Sequence, residues 1–245
     1  MKDREYGKKA DVKKMFEGYI RWGVFSEIAL EDETLRQSIL KNYYEMFIYR
    51  DLVERFSIRN TSLLKGLASY LLTNISNLFS VNSYYKTVKE NTQASKETLA
   101  EYVSHLEDIG LIWQVPFFSH SLKSQQVNPR KIYCIDQGLR GAVAFQFSKD
   151  TGRLAENITF IELKRRNYDV YYWKGKKEVD FIARSEDGKL QAINVSYTND
   201  ISPGETEDLH EFSKINDAEL ILLTEDIEKE EDGIRFIPLW KWLLR

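Results

Sequence analysis

The sequence predicts an α+β protein in two parts, a helical N-terminal part followed by a smaller α/β domain. Three observations carry this reading. Apolar residues recur at helical spacing from residue 8 to 76. Between residues 80 and 136 a polar break separates two short helices that lead into two apolar strands. After residue 151 a helix is followed by strand-like runs joined by a tight turn. Helical periodicity switching to short apolar runs bounded by turn residues is the signal for separate α and α/β layers. A chain of 245 residues is long enough for two cores.

In the first part, Val12, Met15, Phe16, Tyr19 and Ile20 share a helical face, and Gly23 is placed to end that helix. A long helical segment spans residues 31 to 56, with Leu35, Ile39, Tyr43, Phe47, Leu52 and Phe56 as its expected buried stripe. Asn60 or Thr61 caps a third helix whose apolar face runs from Leu63 to Ile75. A short helix then covers residues 81 to 90. Ser95 caps the next, with Leu99, Tyr102, Val103 and Leu106 facing inward, and Gly110 closes it. The strands expected are 111–115 and 131–135, separated by the polar stretch 119–130. Helix, break, capped helix and hairpin in that order are the signature of a winged helix-turn-helix. The expected boundaries are 1–79 for a helical region, 80–148 for the winged helix-turn-helix and 149–245 for the α/β domain.

That last domain opens with a helix over 153–166. The strands expected are 170–173, 179–183 and 190–197, the last two joined through Glu186-Asp187-Gly188 as a hairpin. A helix over 205–214, a buried strand over 219–224 and a terminal helix from Pro238 to Leu244 complete it.

Composition excludes several classes. A lone Cys134 supports neither a disulfide framework nor a Cys-rich zinc site. His105, His120 and His210 stand at no metal-ligand spacing. The apolar runs fall short of the roughly 18 residues of a membrane helix, and the charged start is no signal peptide, so a cytoplasmic protein without membrane contact is expected. The net charge of −3 conceals an asymmetry. Residues 153–177 hold seven basic residues against three acidic, and residues 178–245 hold seventeen acidic against seven basic. Local patches, not the total, therefore decide nucleic-acid binding.

The most pointed chemistry lies in Glu156, Asp180, Asn194 and Ser196. A three-residue loop at 186–188 sets Asp180 opposite Asn194, with Ser196 two residues further along the same face. Glu156 on the preceding helix leans over them. Two acids from a helix and a strand are how a nuclease holds Mg²⁺ or Mn²⁺ beside a phosphate. This order resembles the PD-(D/E)xK, restriction-endonuclease-like fold, whose site is a helix Glu, a strand Asp and a (D/E)-x-K on the next strand. Here Asn194 replaces the acid and Ser196 the lysine. The resemblance therefore implies a degenerate site in which Glu156 and Asp180 remain as metal ligands and cleavage has been lost.

The helix-turn-helix offers a second site. Ser95, Lys96 and Thr98 stand at the N-terminus of the would-be recognition helix, where backbone N–H groups favour a phosphate. Lys123, Arg130 and Lys131 lie in a stretch with no acid between Val115 and Ile135, as a wing contacting duplex DNA would require. Against this, Glu97, Glu101, Glu107 and Asp108 make the recognition helix acidic.

Several runs resemble the C-terminal region of archaeal and bacterial AAA-type P-loop ATPases. They include Tyr19-Ile20-Arg21-Trp22-Gly23-Val24-Phe25, Tyr49-Arg50-Asp51-Leu52-Val53-Glu54-Arg55 and Lys131-Ile132-Tyr133-Cys134-Ile135-Asp136-Gln137-Gly138-Leu139-Arg140. Gly152-Arg153-Leu154-Ala155-Glu156-Asn157, Glu178-Val179-Asp180-Phe181 and Pro238-Leu239-Trp240-Lys241-Trp242 extend the match in collinear order. In that family a P-loop ATPase domain precedes a winged helix and a nuclease-like domain. No G-x-x-x-x-G-K-[ST] occurs in these 245 residues, so no nucleotide site is expected and the ATPase partner would act in cis or in trans. Three functions follow: a non-catalytic DNA-binding region of such an ATPase, a metal-dependent nuclease using Asp180 and Glu156, and a protein-docking module without nucleic acid.

Overall fold

The computed structural model describes residues 2–245 except Asn91, Gln93, 144–149 and Pro203. The helical part comprises α1 (Lys2–Trp22), α2 (Ser26–Ala29), α3 (Glu33–Met46) and α4 (Thr61–Thr73), with a π-helical stretch, Phe47–Glu54, continuing α3. Next come β1 (Leu78–Phe79), α5 (Val81–Val88), α6 (Lys96–Asp108), β2 (Ile112–Val115), α7 (Leu122–Val127), β3 (Arg130–Cys134) and α8 (Gln137–Val143). The α/β part contains α9 (Thr151–Arg165), β4 (Asp169–Lys174), β5 (Glu178–Arg184), β6 (Leu190–Ser196), α10 (Gly204–Ser213), β7 (Ala218–Thr224), β8 (Lys229–Glu231), β9 (Ile234–Pro238) and α11 (Leu239–Trp242). The protein is thus mixed α+β, with helices towards the N-terminus and a mixed sheet towards the C-terminus.

The chain divides into two compact units. One joins residues 19–114 with 129–149, and the other joins 1–18, 115–128 and 150–245. Residues 19–79 of the expected helical region therefore share a unit with 80–114 and 129–148 of the expected helix-turn-helix segment, while 1–18 and 115–128 fall in the other.

In the unit of 19–114 and 129–149, the N-caps are those the sequence marks. Asn60 Oδ1 accepts from the Leu63 N–H at 3.0 Å and Ser95 Oγ from the Thr98 N–H at 3.1 Å. Gly110 takes φ +73°, as a C′ residue requires. The inner face of α4 (Leu63, Leu64, Leu67, Leu71, Leu72) and that of α6 (Leu99, Tyr102, Val103, Leu106) are buried as expected. On the long helix the buried stripe is Leu40, Tyr44, Ile48 and Leu52: Leu52 is buried as expected, three positions lie one residue on from Ile39, Tyr43 and Phe47, and Leu35 is exposed. Both stripes are apolar, so spacing alone leaves the phase open and packing decides it.

A buried carboxylate ties this unit together. Asp136 accepts from the N–H of Leu139 at 3.1 Å, capping α8, and from the N–H of Val24 at 2.8 Å, just beyond α1. Gly23, at φ +81°, lets the chain turn there, and a Cβ at this position would overlap the Asp136 carboxylate. Gln137 Nε2 reaches the Tyr19 carbonyl at 2.7 Å, and the Arg140 guanidinium caps the end of α4 through the carbonyls of Leu72, at 3.1 Å, and Thr73. Burial raises the Asp136 pKa, and the backbone N–H groups of Val24, Leu139 and Gly138 oppose that rise.

The small sheet of this part has the order β1-β3-β2. Lys131, expected on a DNA-facing wing, pairs with Leu78 in this sheet and is 1% exposed. Burial removes it from any phosphate-contacting surface, which corrects that assignment.

In the other unit the six-stranded sheet runs β4-β5-β6-β7-β9-β8, with β4-β5-β6 antiparallel, β6-β7-β9 parallel and β8 antiparallel to β9. Leu220–Thr224 is buried without alternation, as a strand covered on both faces must be. On one face Leu209 and Phe212 of α10 pack with Ile182, Ala192, Leu220, Leu222 and Phe236. Helix α9 packs against β4, β5 and β6. The segment 115–128 is no free wing. Its residues Phe117 and Phe118 pack into the α10-side core, and backbone hydrogen bonds join Phe118 N–H to Tyr172 O (2.7 Å) and Tyr172 N–H to Pro116 O (3.1 Å) along the β4 edge. The hairpin β8–β9, turning at Asp232-Gly233, lies between the expected strand and the expected terminal helix, in a stretch for which no element was expected.

Asp136→Ala leaves buried backbone N–H groups without acceptors and is expected to cost about 1–3 kcal/mol of unfolding free energy, measured by urea denaturation.

Candidate functional site

The β5–β6 hairpin has the expected register. Ser185 and Lys189 bond across the turn at 3.0 Å, leaving 186–188 as a three-residue loop with Gly188 at φ +84°. The ladder pairs Phe181 with Ile193, so Asp180 stands beside Asn194. Between Val179 and Ile182 the pairing with β4 shifts register, a bulge that frees the Asp180 N–H from the ladder. Asn194 supplies the missing acceptor: its Oδ1 takes the Asp180 N–H at 3.0 Å, and its Nδ2 donates to the Glu205 carbonyl at 2.9 Å. Asp180 Oδ2 in turn accepts from the Val195 N–H at 2.9 Å. The Asn194 amide is therefore committed to holding β5, β6 and α10 together.

A cavity of about 320 Å³ opens at this point, lined by Glu156, Lys177, Glu178, Asp180, Asn194, Val195, Ser202, Gly204, Glu205 and Asp208. The structure thus brings Glu156, Asp180 and Asn194 together. Ser196 is buried and does not line the cavity. Sequence reasoning missed Lys177, Glu205 and Asp208. Burial raises the Glu205 pKa first, the charges of Asp180 and Asp208 add to the rise, and Lys177 opposes it. Burial likewise raises Asp208, Lys177 pulls it down, and Glu211, Glu207 and Asp180 push it up. Glu156 and Asp180 are the pair that would hold Mg²⁺ or Mn²⁺. Among the described residues, however, no group of three or more His, Cys, Asp or Glu is placed to hold a metal ion. The donor set as it stands does not fit a closed metal site.

At the other expected site, Ser95 and Lys96 are exposed at the head of α6, and Thr98 is half-buried. The Ser95 hydroxyl is engaged as the cap, and the Lys96 ammonium lies 5.5 Å from the centre of the Tyr85 ring. Glu97 in the same turn stays well ionised, its pKa lowered by backbone and Ser95 hydrogen bonds. Arg130 is half-buried and opens β3. Lys123 is exposed on α7, in the other unit. The basic run at the end of α9 is largely internally paired. Arg165 and Arg166 both bond to Glu162, Arg166 also reaches the Trp242 carbonyl at 2.8 Å, and Lys164 reaches the Tyr168 carbonyl at 3.3 Å.

Residues 13–150, more than half of the chain, match a family described as a domain of unknown function (DUF8612). The chain belongs to the DUF8612 family. Residues 151–242 match a second domain of unknown function (DUF4143), so the border between the two matches falls beside the end of the unit at residue 149. The chain is 35% identical over 256 residues to an uncharacterized protein of Methanocaldococcus jannaschii, covering 96% of this chain and 57% of that protein. An uncharacterized protein of Haemophilus influenzae is 28% identical over 237 residues, covering 96% of this chain and 59% of its own length. The chain therefore spans under three fifths of these archaeal and bacterial relatives. Among the described residues no helix is long and apolar enough to cross a membrane.

Two measurements check the cavity. Asn194→Ala leaves the Asp180 N–H without its acceptor and removes the side-chain tie to α10, and is expected to cost about 1–3 kcal/mol in urea denaturation. For Asp208 the folded pKa lies above the unfolded value, so its ionisation disfavours folding as pH rises through the unfolded value. Asp208→Asn should raise Tm at pH 7, read by thermal denaturation. The difference should vanish near pH 3, where the carboxyl is protonated in both states.

Proposed function

We propose that this chain is a DNA-binding, non-catalytic region of an archaeal or bacterial P-loop ATPase system. The observation that carries the reading is the order α4, β1, α5, α6, β2, β3, with the strands arranged β1-β3-β2. Two helices across a polar break, the second capped by Ser95 and followed by a small sheet, are the arrangement in which a winged helix presents a recognition helix to the major groove. Ser95, Lys96 and Thr98 are then the groove-side residues. Arg130 is a phosphate contact in the same unit, and Lys123 on α7 is a separate candidate phosphate contact.

The ATPase association rests on the resemblance of the quoted runs and on the match of residues 151–242 to a domain found in proteins associated with AAA-type ATPases. The relatives' greater length leaves room for such a domain in cis. The non-catalytic reading is supported by the engagement of Asn194 in structural hydrogen bonds and by Ser196 standing where a nuclease of this type has lysine.

A second reading, a Mg²⁺- or Mn²⁺-dependent nuclease, is favoured by one observation: Glu156 and Asp180 line one cavity. Cleavage of duplex DNA by the wild-type chain with Mn²⁺, abolished by Asp180→Ala, would establish it in place of the first.

Fluorescence anisotropy of a labelled duplex across a salt series tests DNA binding. Affinity should fall linearly with salt on logarithmic axes. Replacing Lys96, Lys123 and Arg130 together by Ala should flatten the slope by about 0.9 for each phosphate that is no longer neutralised. Absence of binding at low salt would sink the reading and leave protein docking as the role of α6.

A further inference from the structure

The exposed faces of α5 and α6 carry opposite charge. On α5 and its C-terminal turn, Ser83, Lys86, Thr87, Lys89 and Glu90 are exposed. Among the described residues, neither Lys86 nor Lys89 has an ion pair within 4 Å. Lys96, the first residue of α6, lies with its ammonium 5.5 Å from the centre of the Tyr85 ring, so it continues the α5 face. Arg130 stands opposite Phe79, the residue before the α5 cap Ser80, whose Oγ accepts from the Ser83 N–H at 3.1 Å. A basic track thus leads from β3 along α5 to the head of α6. Beyond that head, Glu97, Glu101, Ser104 and Asp108 are exposed on α6, four, three and four residues apart, and so form one flank. No lysine or arginine interrupts it, and Glu101 and Asp108 stand 3.6 and 3.8 Å from the His105 ring nitrogens.

We infer that duplex DNA is held by its phosphates along α5 and meets α6 only end-on, at its first turn, while the acidic flank of α6 stays out of the groove. A helix laid lengthwise in the major groove runs between two rows of phosphates. There Glu101 and Asp108 would face like charges, at a cost that grows as water leaves the groove. Contact through α5 avoids that cost. Asp108 lies about 18 Å along the helix axis from Lys96, at 1.5 Å per residue. That is about two Debye lengths at physiological salt, so its charge is screened from a duplex at the head of α6. The contacts are then mainly to phosphate, and phosphate carries no sequence information, so the surface takes duplexes of any sequence. The inference rests on the DNA-binding reading above and names the face of the helix pair that binds.

Fluorescence anisotropy of the full chain with two labelled duplexes of unrelated sequence, across a salt series, tests it. All the positions changed are exposed, so the variants should fold, which their thermal melting checks. Lys86→Ala with Lys89→Ala should weaken binding to both duplexes alike. It should also flatten the logarithmic salt slope by about 1.8, or 0.9 for each phosphate no longer neutralised. Glu90→Gln, beside the track, should tighten binding by about two- to fivefold, the order expected for removing one exposed like charge. Glu101→Gln with Asp108→Asn should leave the affinity within about twofold of wild type at about 0.15 M salt. A gain in that variant as large as the gain in Glu90→Gln would overturn the inference, since it would put the α6 flank in the groove. A preference of the wild type for one duplex by more than about a hundredfold would also overturn it, since that needs base contacts beyond one helical turn. Binding whose slope is unchanged in Lys86→Ala, Lys89→Ala sinks this inference alone. Absence of binding at low salt sinks it together with the DNA-binding reading.

Discussion

The helical unit depends on a carboxylate that is nearly out of reach of water. Asp136 is 1% exposed, and it collects backbone N–H groups from two places far apart in sequence, the turn after α1 and the first turn of α8. Its charge is met by backbone dipoles, and the arrangement works because several of them converge on one anion. Gly23 is required by it twice over, once for its left-handed backbone and once because the carboxylate fills the space a side chain would take. With that knot tied, Arg140 is carried on α8 to the end of α4, where it satisfies carbonyls that the helix cannot satisfy itself.

The α/β unit solves a related problem with neutral groups. A bulge in β5 frees one N–H, and the side-chain amide of Asn194 accepts it while donating to α10. An aspartate at that position would have kept the acceptor and lost the donor. An asparagine there is thus the residue the local hydrogen bonding calls for.

Much of this architecture was legible in the sequence. Asn60, Ser95 and Gly110 marked helix ends correctly because capping acts through neighbours three residues away or fewer. The turn 186–188 fixed the register that sets Asp180 beside Asn194. What stayed illegible depended on distant partners. Apolar spacing could not choose between Ile39 and Leu40 as the buried residue, since only packing decides the phase. Lys131 and Lys123 read alike, yet one is buried in a sheet and the other exposed on a helix. Lys177, Glu205 and Asp208 belong to no local motif and meet only when α10 folds onto β5 and β6. The strands β8 and β9 are a different case, for Asp232-Gly233 followed by the apolar Ile234, Phe236 and Ile237 is itself a local hairpin signal.

The two outer strands of the large sheet meet solvent in opposite ways. On the β4 side, the backbone of residues 116–118 occupies hydrogen-bonding positions of Tyr172. On the other, β8 is three residues long and all three, Lys229, Glu230 and Glu231, are exposed and charged. A second copy of the chain approaching either border would find part of the first already taken and, along the second, a short row of charges that resists desolvation. The sheet is therefore protected against growing into a larger one, and crowding many copies together should not convert its strands into a shared ribbon.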